Sequence, residues 1–434
     1  MVLQKNYDIA VIGSGIMGSS LAYFLSSFSN SKIILIEQTR EIASHTSSRN
    51  TGKVHAPFLY NPLEKRLFAK AAFLGFDMLN DYCIQKSLPF KQDGVLEVAT
   101  YDKGIDSLQK YLEWGYSNGL KKEELRFLWK DEVSRIEPNV RCMCAIYCSK
   151  DASVEYGSIA RHLAEDSRKF GCHVSVDTKA KRIKYRNNNI VIQTNKGAIS
   201  VGYLINAAGG GAIDIAHNMG VANTYADLHF RGDYWHAPQE YHNLTKTSIY
   251  SVPKYTEYPF LDPHWIIRVD GRCEIGPNAV PVLSPYAYRW NDNLKGLLKI
   301  FEFTHTGIRK LLLDKQFLSL AGKELKSSFS KTMMINRVKE FLPQLKPSLF
   351  IQKGVSGIRS SLIDKSGKFV SDTMIVNKNN SLHVLNYNSP GATGALPMAA
   401  MIVDQLIKNG ILSHDYTQNK SLWDIKKIAD RMSV

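Results

Sequence analysis

The chain has no run of about 18 or more consecutive apolar residues, so it offers no candidate transmembrane helix. Cysteine is scarce. Cys83, Cys142, Cys144, Cys148, Cys172 and Cys273 are the six in 434 residues, too scattered for a disulfide framework and in keeping with a reducing compartment. Cys142, Cys144 and Cys148 have a C-x-C-x3-C spacing that matches none of the usual metal or iron–sulfur patterns. The run RCMCAIYC reads instead as a strand with cysteine as a small hydrophobe, and no metal is expected. The opening MVLQKNYDIAVIG lacks the charged, apolar, then small order of a signal peptide, which predicts a cytoplasmic protein. Internal repeats, low-complexity tracts, RGG tracts and recognisable nucleic-acid modules are also missing. The net charge of +15 therefore does not imply a nucleic-acid partner.

What remains is an ordinary globular composition, 44% hydrophobic and 22% charged, in a chain long enough for two domains. Residues 7–12, YDIAVI, form a β-branched apolar run. GSGIMG follows, then a helical pattern over Ile16–Phe28, then a second strand, KIILIE, ending at Glu37. In this order each glycine has a physical task. Gly13 permits the turn out of the strand, Gly15 lets backbone approach a pyrophosphate, and Gly18 lets helix and sheet pack closely. The helix start at Ile16 and Met17 offers free N–H groups to phosphate. Glu37, with Gln38 after it, stands where a carboxylate accepts the ribose hydroxyls, which predicts dinucleotide binding and argues against a 2′-phosphate.

The next segment separates NAD from FAD. SHTSSRNTGKVHAPFLYNPLEKRLFAKAAFLGFDML places Ser48, Asn50, Thr51 and Gly52 just after the ribose acid and then enters an amphipathic helix, expected over Pro62–Tyr82. Small polar residues there suit a ribityl chain and flavin ring. A second strand-to-glycine turn follows in YLINAAGGGA, with Ala208 and Gly209. A third lies in NYNSPGATGALPMAAMIVDQL, with Gly391, Ala392, Thr393 and Gly394. Three such loops at the start, middle and end of one chain imply FAD held by a discontinuous domain. The expected architecture is α/β (α+β over the whole chain). A Rossmann-like FAD-binding domain spans 1–85, 149–225 and 346–434, and a mixed β-sheet substrate domain with helices spans 86–148 and 226–345.

Several motifs carry a family likeness. GSGIMG with IEQ, SSRNTGKVHAPFLYNPLEKRLFAKAA, FKQDGVLEVA and FRGDYW occur in order along the chain. HWIIRVDGRCEIGPNAV, GVSGIRSSLIDKSGKFVSD and HVLNYNSPGATGALPMAAMI complete the set. On these motifs the chain resembles the D-amino-acid-oxidase-like FAD-dependent oxidoreductases, and within them the L-2-hydroxyglutarate dehydrogenase/oxidase group. The resemblance implies oxidation of a small 2-hydroxy acid between two domains, with quinone or oxygen as electron acceptor. Malate:quinone oxidoreductase and FAD-linked glycerol-3-phosphate dehydrogenase are the nearest alternatives. A non-catalytic flavoprotein with a basic lipid- or nucleic-acid-binding surface is the alternative outside enzymes.

Oxidising an alcohol beside a carboxylate requires a base, a hydride acceptor and cations for the carboxylates. His55 follows the SSRNTG segment. His264 and Arg268 share one face of a strand by alternation, as suits a base and a carboxylate clamp. Their bland reading is structural hydrogen bonding. Arg359 in GVSGIRSS is a second cation, facing substrate or flavin, or else paired with Asp364 or Asp372. Tyr60 and Tyr234 are candidates for the pocket wall or for core packing. His45 is a candidate flavin contact or attachment point, and the absence of cysteine from the C-terminal flavin segment excludes attachment there. The charge concentrates in residues 295–340, where Leu297, Leu298, Phe301, Ile308, Leu311 and Leu312 recur at helical spacing among many lysines. This stretch is read either as a basic amphipathic helix lying on a membrane surface or as helices capping the substrate domain.

Overall fold

The structure, a computed structural model, describes residues 6–186, 189–253, 258, 262–293, 305–388, 391–413 and 419–433. The β-branched run at the start forms β1, Asn6–Ile12, at the centre of an eight-stranded sheet. β2, Ile33–Ile36, lies parallel on one side of it and the strand Gly197–Asn206 parallel on the other. His173–Ser175 extends the sheet beyond β2, and Ser381–Asn386 pairs in parallel with the end of Gly197–Asn206. Ile12 is level with Ile36 and with Asn206, so these strands finish at one edge. That carboxyl edge is where open parallel sheets place ligands. α1, Ile16–Phe28, is buried along its whole length. Its Leu21, Phe24, Leu25 and Phe28 share one core with the helices Tyr156–Lys169 and Ala395–Lys408.

A second, seven-stranded sheet runs in the order Trp235–His236, Cys273–Gly276, His264–Ile267, Ser248–Ser251, Val95–Ala99, Cys144–Cys148, Leu125–Trp129. Alternation sorts its side chains. Trp265, Ile267, Ile249, Leu96 and Val98 point into a core closed by Met334, Ile335 and Val338 of the helix Lys331–Lys339. The opposite face carries His264, Ile266, Tyr250 and Glu97, with Arg268 just past the strand end. A small sheet of Lys53–Val54, Ala152–Val154 and Phe90–Lys91 joins segments up to about a hundred positions apart.

Some boundaries moved. The helix expected over Pro62–Tyr82 spans Arg66–Lys86, because the Asn61 side chain accepts from Leu63 N–H and closes a turn first. It ends where Ser87 turns left-handed at φ 53°. The strand Gly357–Ile363, read from sequence with the nucleotide-binding segments, pairs with Ala226–Gly232 in a three-stranded sheet. The basic stretch is not one helix. Thr306–Leu313, Lys315–Phe329 and Lys331–Lys339 are separated at Asp314 and Ser330, each of which caps the following helix. Ile308 and Leu311 turn inward with Phe317 and Leu320, whereas Leu312 is exposed. Leu297, Leu298 and Phe301 lie outside the described residues. Among the described residues no helix is long and apolar enough to cross a membrane.

Candidate active site

The glycine loop is built by close approach. Gly13 has φ +99°, and a Cβ there would sit 2.5 Å from the Ala207 carbonyl oxygen. A Cβ on Gly18 would lie 1.8 Å from the Gly13 oxygen, so Gly18 serves packing. Gly15 differs: its Cβ would meet only the Ser47 hydroxyl, at 3.0 Å. Ser47 also accepts from the Ile16 N–H at the start of α1, which Met17 continues. The Glu37 carboxylate is buried at the end of β2. One of its oxygens accepts from the Ser14 N–H and hydroxyl at 3.0 and 2.6 Å, and the other from the N–H and hydroxyl of Thr39. Glu37 therefore pins the glycine loop to the end of β2. Gln38 follows it, partly exposed.

The polar segment after Glu37 is held largely by itself. The Asn50 amide donates to the Thr46 and Ser47 carbonyls and its oxygen accepts from Gly52 N–H, so its side chain closes its own loop. Ser48 packs where a Gly157 Cβ would be, and Thr51 is partly exposed. His45 Nδ1 is 3.0 Å from the Tyr288 hydroxyl, and Arg49 lies over the Tyr288 ring. Ala208 and Gly209 enter a short turn beside Gly13. Gly391, Ala392, Thr393 and Gly394 lead into the helix Ala395–Lys408. The Thr393 hydroxyl accepts from His55 N–H and meets the Tyr156 hydroxyl, so it ties the last loop to the base candidate.

Two imidazoles converge on one phenol. The Tyr250 ring lies 5.9 Å from that of His55 and 4.1 Å from that of His264, centroid to centroid. His55 Nδ1, His264 Nδ1 and the Tyr250 hydroxyl are buried with no hydrogen-bond partner among the described residues. Burial, then the charges of Lys53, His264 and Arg359, push His55 down to about 3. Burial also pushes His264 down to about 4, aided by Arg359 and Arg337 against Asp262. Both rings are therefore neutral at physiological pH, the state a base needs. Tyr60 is buried near Asp151 and Tyr387, and its phenol is pushed far up by that burial.

The arginines divide. The Arg359 charge is felt by His55, His264 and Tyr234 alike and acts to lower all three. Asp364 instead closes its own turn with Ser366 and Lys368. Arg268 stands on the His264 face, but it donates to the Asn50 carbonyl and lies 3.7 Å from Glu274. It ties the polar loop to the sheet besides offering a cation. Tyr234 feels both arginines.

Sequence reading missed Tyr250, Ser14 and a buried group formed by Lys53, Asp93 and Asp151. Tyr250 sits in a segment, TSIYSVPKY, that reads as a strand but carries no local mark of a functional tyrosine. A lysine between apolar residues in TGKVHA was a visible oddity, since an unpaired lysine is almost never fully buried.

The description of FAD-dependent oxidoreductases matches residues 8–405. The chain belongs to that family. This FAD-dependent oxidoreductase is 30% identical over 406 residues to L-2-hydroxyglutarate dehydrogenase of Indibacter alkaliphilus, covering 93% of this chain and 99% of the relative. It is 29% identical to the human mitochondrial L-2-hydroxyglutarate dehydrogenase, covering 93% of this chain and 89% of the other. In fold it is similar to FAD-bound L-α-glycerophosphate oxidase of Mycoplasma pneumoniae, with a TM-score of 0.75 at 19% identity, over 96% of this chain and 98% of that one. The side-chain-free Gly15 at the start of α1 leaves room for a pyrophosphate, and the orphaned polar atoms of Tyr250, His264 and Tyr387 are of a kind a bound group would satisfy, so the residues present fit FAD.

Proposed function

We propose that this enzyme oxidises L-2-hydroxyglutarate to the 2-oxo acid. What carries the reading is the nearly full-length likeness to L-2-hydroxyglutarate dehydrogenases, in a chain whose site pairs neutral imidazoles with arginines. On this reading Gly15, Ile16 and Met17 hold the pyrophosphate, Gly13 and Gly18 shape the loop that lets them approach it, and Glu37 faces the ribose. The loops at Ser48–Gly52, Ala208–Gly209 and Gly391–Gly394 border the rest of the cofactor. The large sheet carries the cofactor, and the face of the second sheet bearing His264 carries substrate groups. FAD supplies the acceptor for the hydride that leaves C2. His55 or His264 takes the hydroxyl proton at a ring nitrogen. Arg359, with Arg268, holds the carboxylates by planar, charge-assisted hydrogen bonds. Arrival of a dicarboxylate offsets the Arg359 charge that suppresses the imidazoles, so substrate raises their proton affinity as it binds. Anaerobic addition of L-2-hydroxyglutarate is expected to bleach the flavin absorbance. Bleaching by malate or glycerol 3-phosphate in preference to it would reassign the substrate.

We further propose that electrons pass to a quinone at a membrane surface. Leu313 is 81% exposed and Phe329 73%, and Leu318 and Leu325 are also exposed, among exposed Lys310, Lys315, Lys323 and Lys326. Apolar side chains ringed by lysine suit an anionic lipid surface. Binding to anionic vesicles at low salt, released by high salt, is the expected result. No binding, with rapid reoxidation by oxygen and none by a quinone analogue, would make this a soluble oxidase.

A further inference from the structure

The antiparallel pairing of Lys53–Val54 with Ala152–Val154 sets Val54 opposite Ala152. One residue further along, the same register brings His55 against Asp151, with His55 Nδ1 3.8 Å from the Asp151 carboxylate. The same carboxylate accepts from Ala56 N–H at 3.4 Å. Its other oxygen lies 3.2 Å from the Lys53 ammonium, which in turn is 2.8 Å from Asp93. Ser153 donates to Asp93 and accepts from Lys53. The side chains of Lys53, Asp151 and Asp93 are 0%, 1% and 2% exposed. Three charges buried so completely need a reason, because desolvating an ion pair commonly costs as much as the attraction returns. Tyr156 closes the group by donating to the Lys53 carbonyl while meeting Thr393, which holds the His55 N–H.

We propose that Asp151 is a positioning residue for His55, keeping the imidazole proton on Nδ1 and the lone pair on Nε2 for the substrate hydroxyl, and that Lys53 keeps Asp151 ionised for that task. A carboxylate can only accept, so its neighbour nitrogen must be the one bearing hydrogen. A contact of this length shortens to a hydrogen bond on substrate binding in many enzymes. The charge balance supports the second part. Burial pushes Asp151 up to about 6, with Asp93 pushing the same way and Lys53 opposing. The Asp151 charge is also felt by Glu97, by the phenols of Tyr60, Tyr156 and Tyr250 and by the Cys148 thiol. Burial keeps the phenols and the thiol neutral at pH 7, and Glu97 mostly so, leaving Lys53 and Asp93 as the charges that decide. The His264 and Arg359 charges also act on His55. A protonated His55 would be unfavourable beside that guanidinium without a carboxylate at its back.

The rate arm of the test rests on the proposed substrate; the spectroscopic arm does not. Nitrogen-15 spectra of histidine-labelled holoenzyme at pH 7.5–8, roughly where free imidazole is neutral, identify His55 by the signal lost in His55→Ala. The expected spectrum shows hydrogen on Nδ1. Hydrogen on Nε2 in the unmodified enzyme overturns the proposal. In Asp151→Asn, whose amide can donate, the tautomer is expected to shift. Limiting flavin reduction should slow about tenfold to a hundredfold while substrate affinity and flavin content hold. Lys53→Met should reproduce both effects with Asp151 in place, Asp93→Asn should show neither, and Asp151→Glu should retain the native tautomer. Asp151→Asn should add nothing to His55→Ala. If Asp151→Glu fails as Asp151→Asn does, the residue serves packing and the proposal falls. If the unmodified flavin is not reduced by L-2-hydroxyglutarate, the substrate reading fails and the tautomer alone decides.

Discussion

The rings of Tyr250 and His264 lie 4.1 Å apart, centroid to centroid, on one face of two adjacent strands. The Tyr250 hydroxyl has no hydrogen-bond partner among the described residues, and burial pushes the phenol far above its ordinary range, so it is a neutral donor aimed at the site. Tyr250→Phe is expected to keep the fold and the flavin. It should slow flavin reduction about tenfold, the worth of a hydrogen bond to a developing charge. Alanine at whichever imidazole is the base should cost about a hundredfold to ten-thousandfold. Rapid-mixing reduction of the three variants ranks them, and normal rates in both histidine variants would hand the proton to another group.

Gly15 and Gly18 stand three residues apart and should fail differently. The Cβ of a Gly15→Val side chain meets only the Ser47 hydroxyl, so the protein is expected to fold and to be colourless because the new atoms occupy the pyrophosphate position. Gly18→Val drives a carbon into the Gly13 carbonyl and should prevent folding. Circular dichroism and flavin absorbance separate the two. A yellow Gly15→Val protein would show that this loop does not hold the cofactor.

The two arginines should also part company. Arg359→Lys keeps charge but loses the planar fork, and should weaken substrate binding about tenfold to a hundredfold with flavin content unchanged. Arg268→Lys also releases the Asn50 carbonyl, so part of its effect should appear as lowered flavin retention. Substrate titration beside flavin quantitation tests this, and identical profiles for the two variants would refute the division.

Glu97 is 3% exposed on the Tyr250 face, and burial, then Asp151, pushes it up to about 8. Its folded form holds a proton that the unfolded chain releases near its ordinary value of about 4.3. Stability from this group is thus full below that value and declines as pH rises towards 8. Glu97→Gln carries no proton to lose, so it should stabilise the protein more at pH 9, on the order of one pH unit above the folded value, than at pH 5. Denaturant midpoints at the two pH values measure it, and an equal shift at both would show that Glu97 titrates normally.

The sequence by itself determined the cofactor half. Turn glycines, helix packing and a carboxylate at a strand end act through neighbours within some forty positions, so Gly13, Gly15, Gly18 and Glu37 were legible, as was α1 to its limits. It also led to the expectation that His264 and Arg268 share a face, although the strand ends at Ile267, one residue short of Arg268. Tertiary structure decided which of these meet. Tyr250 joins His55 to His264 only because Ser248–Ser251 pairs with His264–Ile267. Asp151 reaches His55 only through an antiparallel register across almost a hundred residues. Periodicity put Ile308 and Leu311 on one helix face, but that this face packs inward against Phe317, Leu320 and Ala226 was decided by the elements brought against it. Arg268 showed its limit most plainly: alternation extended the strand to it, whereas the strand stops at Ile267, and its hold on the Asn50 carbonyl depends on a distant loop that only folding brings within reach.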